Sequence, residues 1–426
     1  MARSVEEAAR AYEGSSEEEM NALLKALHGL KEHTSLDSAE RALAPLDPRV
    51  HTLPAVYVLH RISPSGERQR ARFFELALRF LASPRREHIL AIPKKSASVC
   101  STLRDAALSL SRASEAILAL FACASAAQPS PNCLTSIHCD FVHLCALSSF
   151  HSASERALSL TFTHADPERA PLSSFDHLRF CYYGACSRIA LGHLSLAKPL
   201  LLQALTAPAT NLSAIAVAAY KKLVLVSLCL DSTSPQLPSS TTPSAVHRGV
   251  QSLCSSYTTF ASKLENGGLM SAREWLANDT NRCELAGDNN FALAKQALCN
   301  WRRHRIMKLK SIYSMMPLSK LANDAGFHGE SAEADAERTL VLMAEEGIIG
   351  ARICEQTRSV EFDHPSKPYN SDDAVRELAS AVDSAFALNS TVRSRHESIA
   401  IDPQYLGKRS ASQSSPVGTG ALDDRG

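Results

Sequence analysis

The stretch Leu318-Ser-Lys-Leu-Ala-Asn-Asp-Ala-Gly326 sets Leu318, Leu321, Ala322 and Ala325 on one face of a short helix. Gly326 ends that helix, because glycine takes the left-handed backbone of a helix stop without a Cβ clash. A second helix is expected from about Ser331, with Ala336, Leu340, Met343 and Ala344 facing inward. Beyond it, Gly347-Ile-Ile-Gly-Ala-Arg-Ile353 reads as a strand, Glu355-Gln-Thr-Arg-Ser359 as a turn and Val360-Glu-Phe362 as a return strand. Helix, turn, helix and two-stranded ribbon, over about 317–364, is the order of a winged helix.

A winged helix that reads DNA places its second helix in the major groove, among phosphates. Between Ser331 and Glu346 this chain carries Glu333, Asp335, Glu337, Glu345 and Glu346 against Arg338 alone. That charge opposes groove insertion. A protein partner is the better expectation, met by strand addition along the edge from Ile348 to Ile353. Ile348, Ile349, Ala351, Ile353, Val360 and Phe362 are therefore the candidate interface residues of the ribbon.

Upstream, the chain reads as helix after helix. One stripe joins Leu103, Ala107, Leu110, Ser114, Ile117 and Phe121. Phe175, Leu178, Tyr182, Ala185 and Ile189 form another, which Gly192 can end. Leu194, Ala197, Leu201 and Ala204 follow up to Pro208, with Pro199 requiring a late start or a bend. Asn211 is placed to cap a third helix carrying Leu212, Ile215, Ala219, Leu223, Val226 and Leu230. Short helical pairs each leave an apolar face that the next pair covers, so a mainly α fold is predicted, with a right-handed array of helical hairpin repeats over 21–230.

The remaining boundaries follow from composition. Residues 1–20 are polar and acidic and are expected to be a flexible N-terminus, with the start of a first helix as the other reading. The Ser-, Thr- and Pro-rich run from Asp231 to Ser244 is expected to be a loop. Helices resume near Val246, and a long one after Asp288 turns Phe291, Ala294, Leu298 and Trp301 inward, so that 246–364 holds further helices and the winged helix. Val375, Leu378, Val382, Ala385, Asn389 and Val392 step by threes and fours along a C-terminal helix over 371–400, a narrow seam suited to a bundle. The first four of these complete the candidate interface set. Residues 405–426, rich in Ser and Gly, are expected to be disordered.

Composition narrows the function classes. The 45 Lys and Arg against 44 Asp and Glu give no basic excess for general polyanion binding. Met1 to Arg10 holds no apolar run of a secretory signal, and Leu212–Leu230 is broken by Lys221 and Lys222, so a soluble, intracellular protein is expected. The 12 cysteines form no Cys-x-x-Cys, and most are expected to be small buried hydrophobes. No His-x-His, His-Glu-x-x-His, Gly-x-Ser-x-Gly or phosphate-loop motif occurs, so no catalytic, cofactor-binding or metal residue is assigned. Cys133, His138, Cys139, His143 and Cys145 come nearest to a metal set, but lack the paired, loop-spaced ligands of a zinc site. The basic run Trp301-Arg-Arg-His-Arg-Ile-Met-Lys-Leu-Lys310 is expected to be a solvated helix face, ahead of an acidic partner or nucleic acid.

Helical repeats joined to a winged helix are the architecture of the PCI domain, shared by the proteasome lid, the COP9 signalosome and translation initiation factor 3. Several ordered stretches resemble the subunit 3 family of the signalosome. They are Leu134-Thr-Ser-Ile-His-Cys-Asp-Phe141, Tyr182-Tyr-Gly184, Ala204-Leu-Thr-Ala-Pro208, Ala219-Tyr-Lys-Lys-Leu-Val-Leu-Val-Ser227, Gln236-Leu-Pro238, Met343-Ala-Glu-Glu-Gly347 and Ser359-Val-Glu-Phe362. The resemblance implies a non-catalytic scaffold in a complex that removes the ubiquitin-like protein Nedd8 from cullins, and so regulates cullin–RING ubiquitin ligases. It implies no cofactor, and an isopeptidase zinc held by another chain. Partners would be other signalosome subunits, met through winged-helix edges and a C-terminal helix bundle, with cullin–RING ligases indirect, no membrane, and residence in cytoplasm and nucleus. A proteasome-lid scaffold is the alternative, and a nucleic-acid-binding PCI protein the second, which the acidic helix opposes.

Overall fold

Ala- and Leu-rich segments with three-to-four spacing become helices almost throughout, because these residues lose little freedom there. The computed structural model describes residues 4–11, 16–29, 35–160, 162, 165–166, 169–363 and 371–403. The chain divides into two compact units, 1–311 with 319–339, and 312–318 with 340–426.

The first unit begins with α1 (Val5–Ala11), α2 (Glu17–Gly29), α3 (Leu36–Leu43), α4 (Thr52–Leu59), α5 (Glu67–Leu81) and α6 (Arg86–Ala91). It continues with α7 (Pro93–Ser109), α8 (Ala113–Ala126), α9 (Ser136–Leu147), α10 (His151–Leu158), α11 (Ser174–Ala190) and α12 (Leu194–Thr206). Then come α13 (Ala214–Asp231), α14 (Ser244–Leu253), α15 (Ser255–Asn266), α16 (Gly268–Ala277), α17 (Asp279–Gly287) and α18 (Phe291–Ile312). Packing is local. α5 lies on α7 and α8, α9 on α8 and α11, α11 on α12, α12 on α13, and α13 on α14 and α15. One hydrophobic core runs through these contacts from Val5 to Leu298. This is the organisation of a repeat array, in which each helix is covered by its neighbours in sequence.

Several details depart from the sequence reading. The expected flexible N-terminus instead contains α1, whose Val5, Ala8 and Ala9 share one face and are buried in the core. Its Glu6 and Glu7 sit in the first turn, where acidic charge suits the helix dipole. The stripe from Leu103 to Phe121 spans two helices: Ser111, at φ 56°, turns the chain between α7 and α8. Phe175 is exposed, because the covered face of α11 is centred on Leu178, Cys181, Gly184 and Ala185. Gly184 permits this approach, since a Cβ there would lie 2.7 Å from a methyl of Leu158. The cap of α13 is Ser213, which accepts from the Ala216 amide at 3.1 Å, and not Asn211. α12 starts at Leu194 and carries Pro199 inside it, while Leu194, Ala197, Leu201 and Ala204 are buried as expected.

A buried ionic cluster ties three repeats together. Arg104 of α7 and Arg179 of α11 both pair with Asp140 of α9, the second at 3.0 Å. Arg104 also holds Asp105 at 2.6 Å, and Arg179 holds Asp176 at 3.3 Å. Arg179 donates to Nδ1 of His143 at 2.8 Å, so the imidazole is neutral. Burial raises the pKa of Asp140, while the two guanidiniums pull it down.

His138, on α9, is buried with Nδ1 2.8 Å from the Thr135 hydroxyl and Nε2 unpartnered among the described residues. Burial lowers its pKa to about 4. An unfolded histidine binds protons below about pH 6.5, so the unfolded state gains protons first and stability falls as pH drops from there toward 4. For His138 the loss is about 2 kcal/mol at pH 5. Urea unfolding at pH 5 and pH 7 should therefore give a smaller difference for His138→Gln than for the unaltered chain.

The winged-helix order is present along the chain. β1 (Met315–Pro317) is followed by α19 (Leu318–Asp324), α20 (Ala332–Glu345), β2 (Ala351–Cys354) and β3 (Ser359–Phe362). Leu321, Ala322, Ala325, Ala336, Leu340 and Met343 are buried, whereas Ala344 is exposed. Gly326 ends α19 at φ +76°, and a Cβ on it would meet Trp301 of α18 at 2.9 Å. Gly326→Ala should cost about 1–2 kcal/mol from the backbone alone, plus the displacement of Trp301, measured as a lowered urea midpoint.

In the second unit the ribbon is a three-stranded antiparallel sheet in the order β1-β3-β2. Met316 pairs with Val360, and Val360 with Ile353 on its other side. The sequence reading missed β1, because three residues ending in proline show no alternation. Pro317 is tolerated because β1 is an edge strand, where a missing donor breaks no interior ladder. The unit ends in α21 (Asp372–Ala400).

Candidate interaction surfaces

The central position of β3 decides which ribbon residues can meet a partner. Val360 and Phe362 point to the covered face and are buried, as are Met316 and Ile349. Val360, Phe362 and Ile349 thus belong to the core, which corrects their assignment as interface residues. Ile348 is exposed, and Ala351 and Ile353 are half-buried. These three lie on or beside β2, whose outer edge has no strand partner among the described residues. The sheet also bounds an apolar recess of about 550 Å³, lined by Met315, Pro317, Ile353 and Cys354 among others. Met315 is 58% exposed there and was missed with β1.

α21 is capped by Ser371, which accepts from the Ala374 amide at 3.2 Å. Asp372 and Asp373 occupy its first turn, again favourable to the dipole. Over 29 residues it buries none. Val375, Leu378, Val382 and Val392 are all exposed, and Ala385 is exposed with them. Phe386, 70% exposed, widens the seam by one position, four residues after Val382. Sequence reasoning followed the heptad through Ala385 and passed over the larger neighbour. Leaving so much apolar side chain in water is unfavourable by about 25 cal/mol per Å², and a partner helix would relieve it.

The residues weighed for metal binding have other engagements. The Cys133 thiol donates to the Leu134 carbonyl at 3.7 Å and the Cys139 thiol to that of Thr135 at 3.4 Å. His143 accepts from Arg179 and stacks on Tyr183 at 4.2 Å between ring centres. Burial pushes the thiols of Cys145 and Cys181 up to about 12, so they stay protonated. Among the described residues no three His, Cys, Asp or Glu side chains converge as a metal site. No helix among them is long and apolar enough to cross a membrane.

Part of the basic run is engaged within the first unit. Arg302 lies over the Phe327 ring at 4.2 Å and donates to the Gly326 carbonyl at 3.4 Å. His304 Nε2 meets the Cys229 carbonyl at 2.9 Å, and Arg305 stacks over Trp301 at 5.6 Å. These stems and rings join α18 to α13 and to the α19 turn.

Comparison with known proteins accounts for this combination. Residues 14–245 match the family model described as COP9 signalosome complex subunit 3, N-terminal helical repeats. A protein named COP9 signalosome complex subunit 3 from Dictyostelium discoideum is 26% identical over 381 residues, 89% of this chain and 88% of that protein. The protein of the same name from Arabidopsis thaliana is 26% identical over 397 residues, 92% of this chain and 90% of its own length. The matched repeats cover more than half the chain, and the relatives extend the likeness through the sheet and into α21. The chain belongs to the COP9 signalosome complex subunit 3 family.

Proposed function

We propose that the chain is a non-catalytic scaffold subunit of the COP9 signalosome. In that role it supports removal of Nedd8 from cullins, and so regulates cullin–RING ubiquitin ligases in cytoplasm and nucleus. The observation that carries this reading is α21: a long, capped helix with an apolar seam exposed to solvent, in a chain whose relatives are named as subunits of one complex. The helical array offers a rigid body, β2 an open edge, and α21 a seam for bundling with partner helices. Isopeptidase chemistry would reside in a different chain, because a hydrolytic zinc site needs convergent ligands and a general base. α20 exposes Glu337 and Glu345, and Glu346 is exposed directly after it, which favours a protein partner over nucleic acid.

Depletion of the protein from its own cells provides the test. The Nedd8-bearing fraction of cullins should rise several-fold and return to its original level when the intact chain is restored. An unchanged fraction in depleted cells would remove the proposed function.

A further inference from the structure

The first unit contains a recess that the scaffold reading leaves unused. It lies between the loop after α13 and one face of α18, encloses about 390 Å³, and is lined by Ser232–Gln236, Glu265, Trp301, His304, Arg305 and Lys308. Trp301, His304, Arg305 and Lys308 are spaced by three, one and three residues, which puts all of them on one side of the helix. Arg305 and Lys308 are exposed, and among the described residues neither forms an ion pair. The hydroxyl of Ser232 is fully buried and unpartnered among the described residues, although Ser232 lines the recess. An anion already approaches this loop from within the protein: the Glu265 carboxylate accepts from the Ser234 amide.

Two exposed cations without an ion-pair partner among the described residues, of which Arg305 only stacks on Trp301 and donates to the Asp324 carbonyl at 3.4 Å, and a backbone amide that already holds an acidic oxygen suit one kind of guest. We infer that this recess binds a phosphate group. A dianion there gains charge-assisted hydrogen bonds from Arg305 and Lys308. It outcompetes the single charge of Glu265 for the Ser234 amide. The group has two possible sources: a soluble phosphorylated ligand, or the chain itself. Ser234 is exposed and precedes Pro235, the pattern that proline-directed kinases use. In that case the Ser234 hydroxyl takes the terminal phosphoryl group of ATP, the P–O bond to ADP breaks, and the hydroxyl proton passes to solvent.

The test follows thermal unfolding of the full chain. Inorganic phosphate is titrated at constant ionic strength, and a second sample is phosphorylated at Ser234 by a proline-directed kinase, with the position verified by peptide mass. If the ligand is soluble, free phosphate gives a saturable rise in midpoint of roughly 2 °C or more, and phosphorylation of Ser234 gives none. If Ser234 supplies the group, phosphorylation raises the midpoint and free phosphate adds nothing further. Either rise must vanish in the Arg305→Gln/Lys308→Gln double variant, whose exposed positions leave the helix intact without ligand. An unchanged rise in that variant means an adventitious ion only and overturns the inference, as does the absence of a rise in both samples.

Discussion

Asp140→Ala is expected to cost about 3–5 kcal/mol of stability, the largest loss from any single side chain of the array. The carboxylate is almost fully buried and faces two guanidiniums, those of Arg104 and Arg179, which are themselves nearly buried. Removing it leaves two like charges inside the protein with only Asp105, Asp176 and His143 around them. The contrasting variant is Asp140→Leu combined with Arg104→Met and Arg179→Met. This replaces the three buried charges by apolar groups and leaves the more exposed Asp105 and Asp176 to solvent, and such replacements are often neutral or stabilising. Urea unfolding of both variants should show a large fall in midpoint for the first and a small change for the second. Equal losses in the two would mean that shape, and not unpaired charge, governs the site.

The second large effect concerns assembly. Leu378→Asp with Val382→Asp places two carboxylates on the seam of α21, one turn apart. In the free chain both positions are exposed, so folding stability should change little. In a bundle the same carboxylates would be desolvated without partners, at several kcal/mol together. Recovery of partner subunits with the tagged variant should fall roughly 100-fold or more. Asp substitutions at Arg395 and Ser398, near the far end of the helix and off the early seam, provide the control.

The amphipathic periodicity was legible wherever one face of a helix is covered and the other wet. That is why α12, α13, α18, α19 and α20 lie close to where their apolar spacing put them. Legibility failed where a local backbone feature overrode the pattern. Ser111 adopts a left-handed conformation without glycine, so one apparent stripe became two helices. β1 is too short to alternate, and it is β1 on one side with β2 on the other that makes β3 central. Val360 and Phe362 were therefore assigned outward when their apolar character serves the core. The same error hid Met315. The Asp140 cluster was illegible for a different reason: its three members are far apart in sequence, and only the packing of α7, α9 and α11 unites them. The seam of α21 was readable because nothing in its own chain competes for it, but the heptad count favoured Ala385 over Phe386.

The most direct measurement is affinity purification of the tagged chain from its own cells, with partners identified by mass spectrometry. The account predicts recovery of the other signalosome subunits together with cullins. Recovery of proteasome-lid subunits in their place, or of neither assembly, would contradict it.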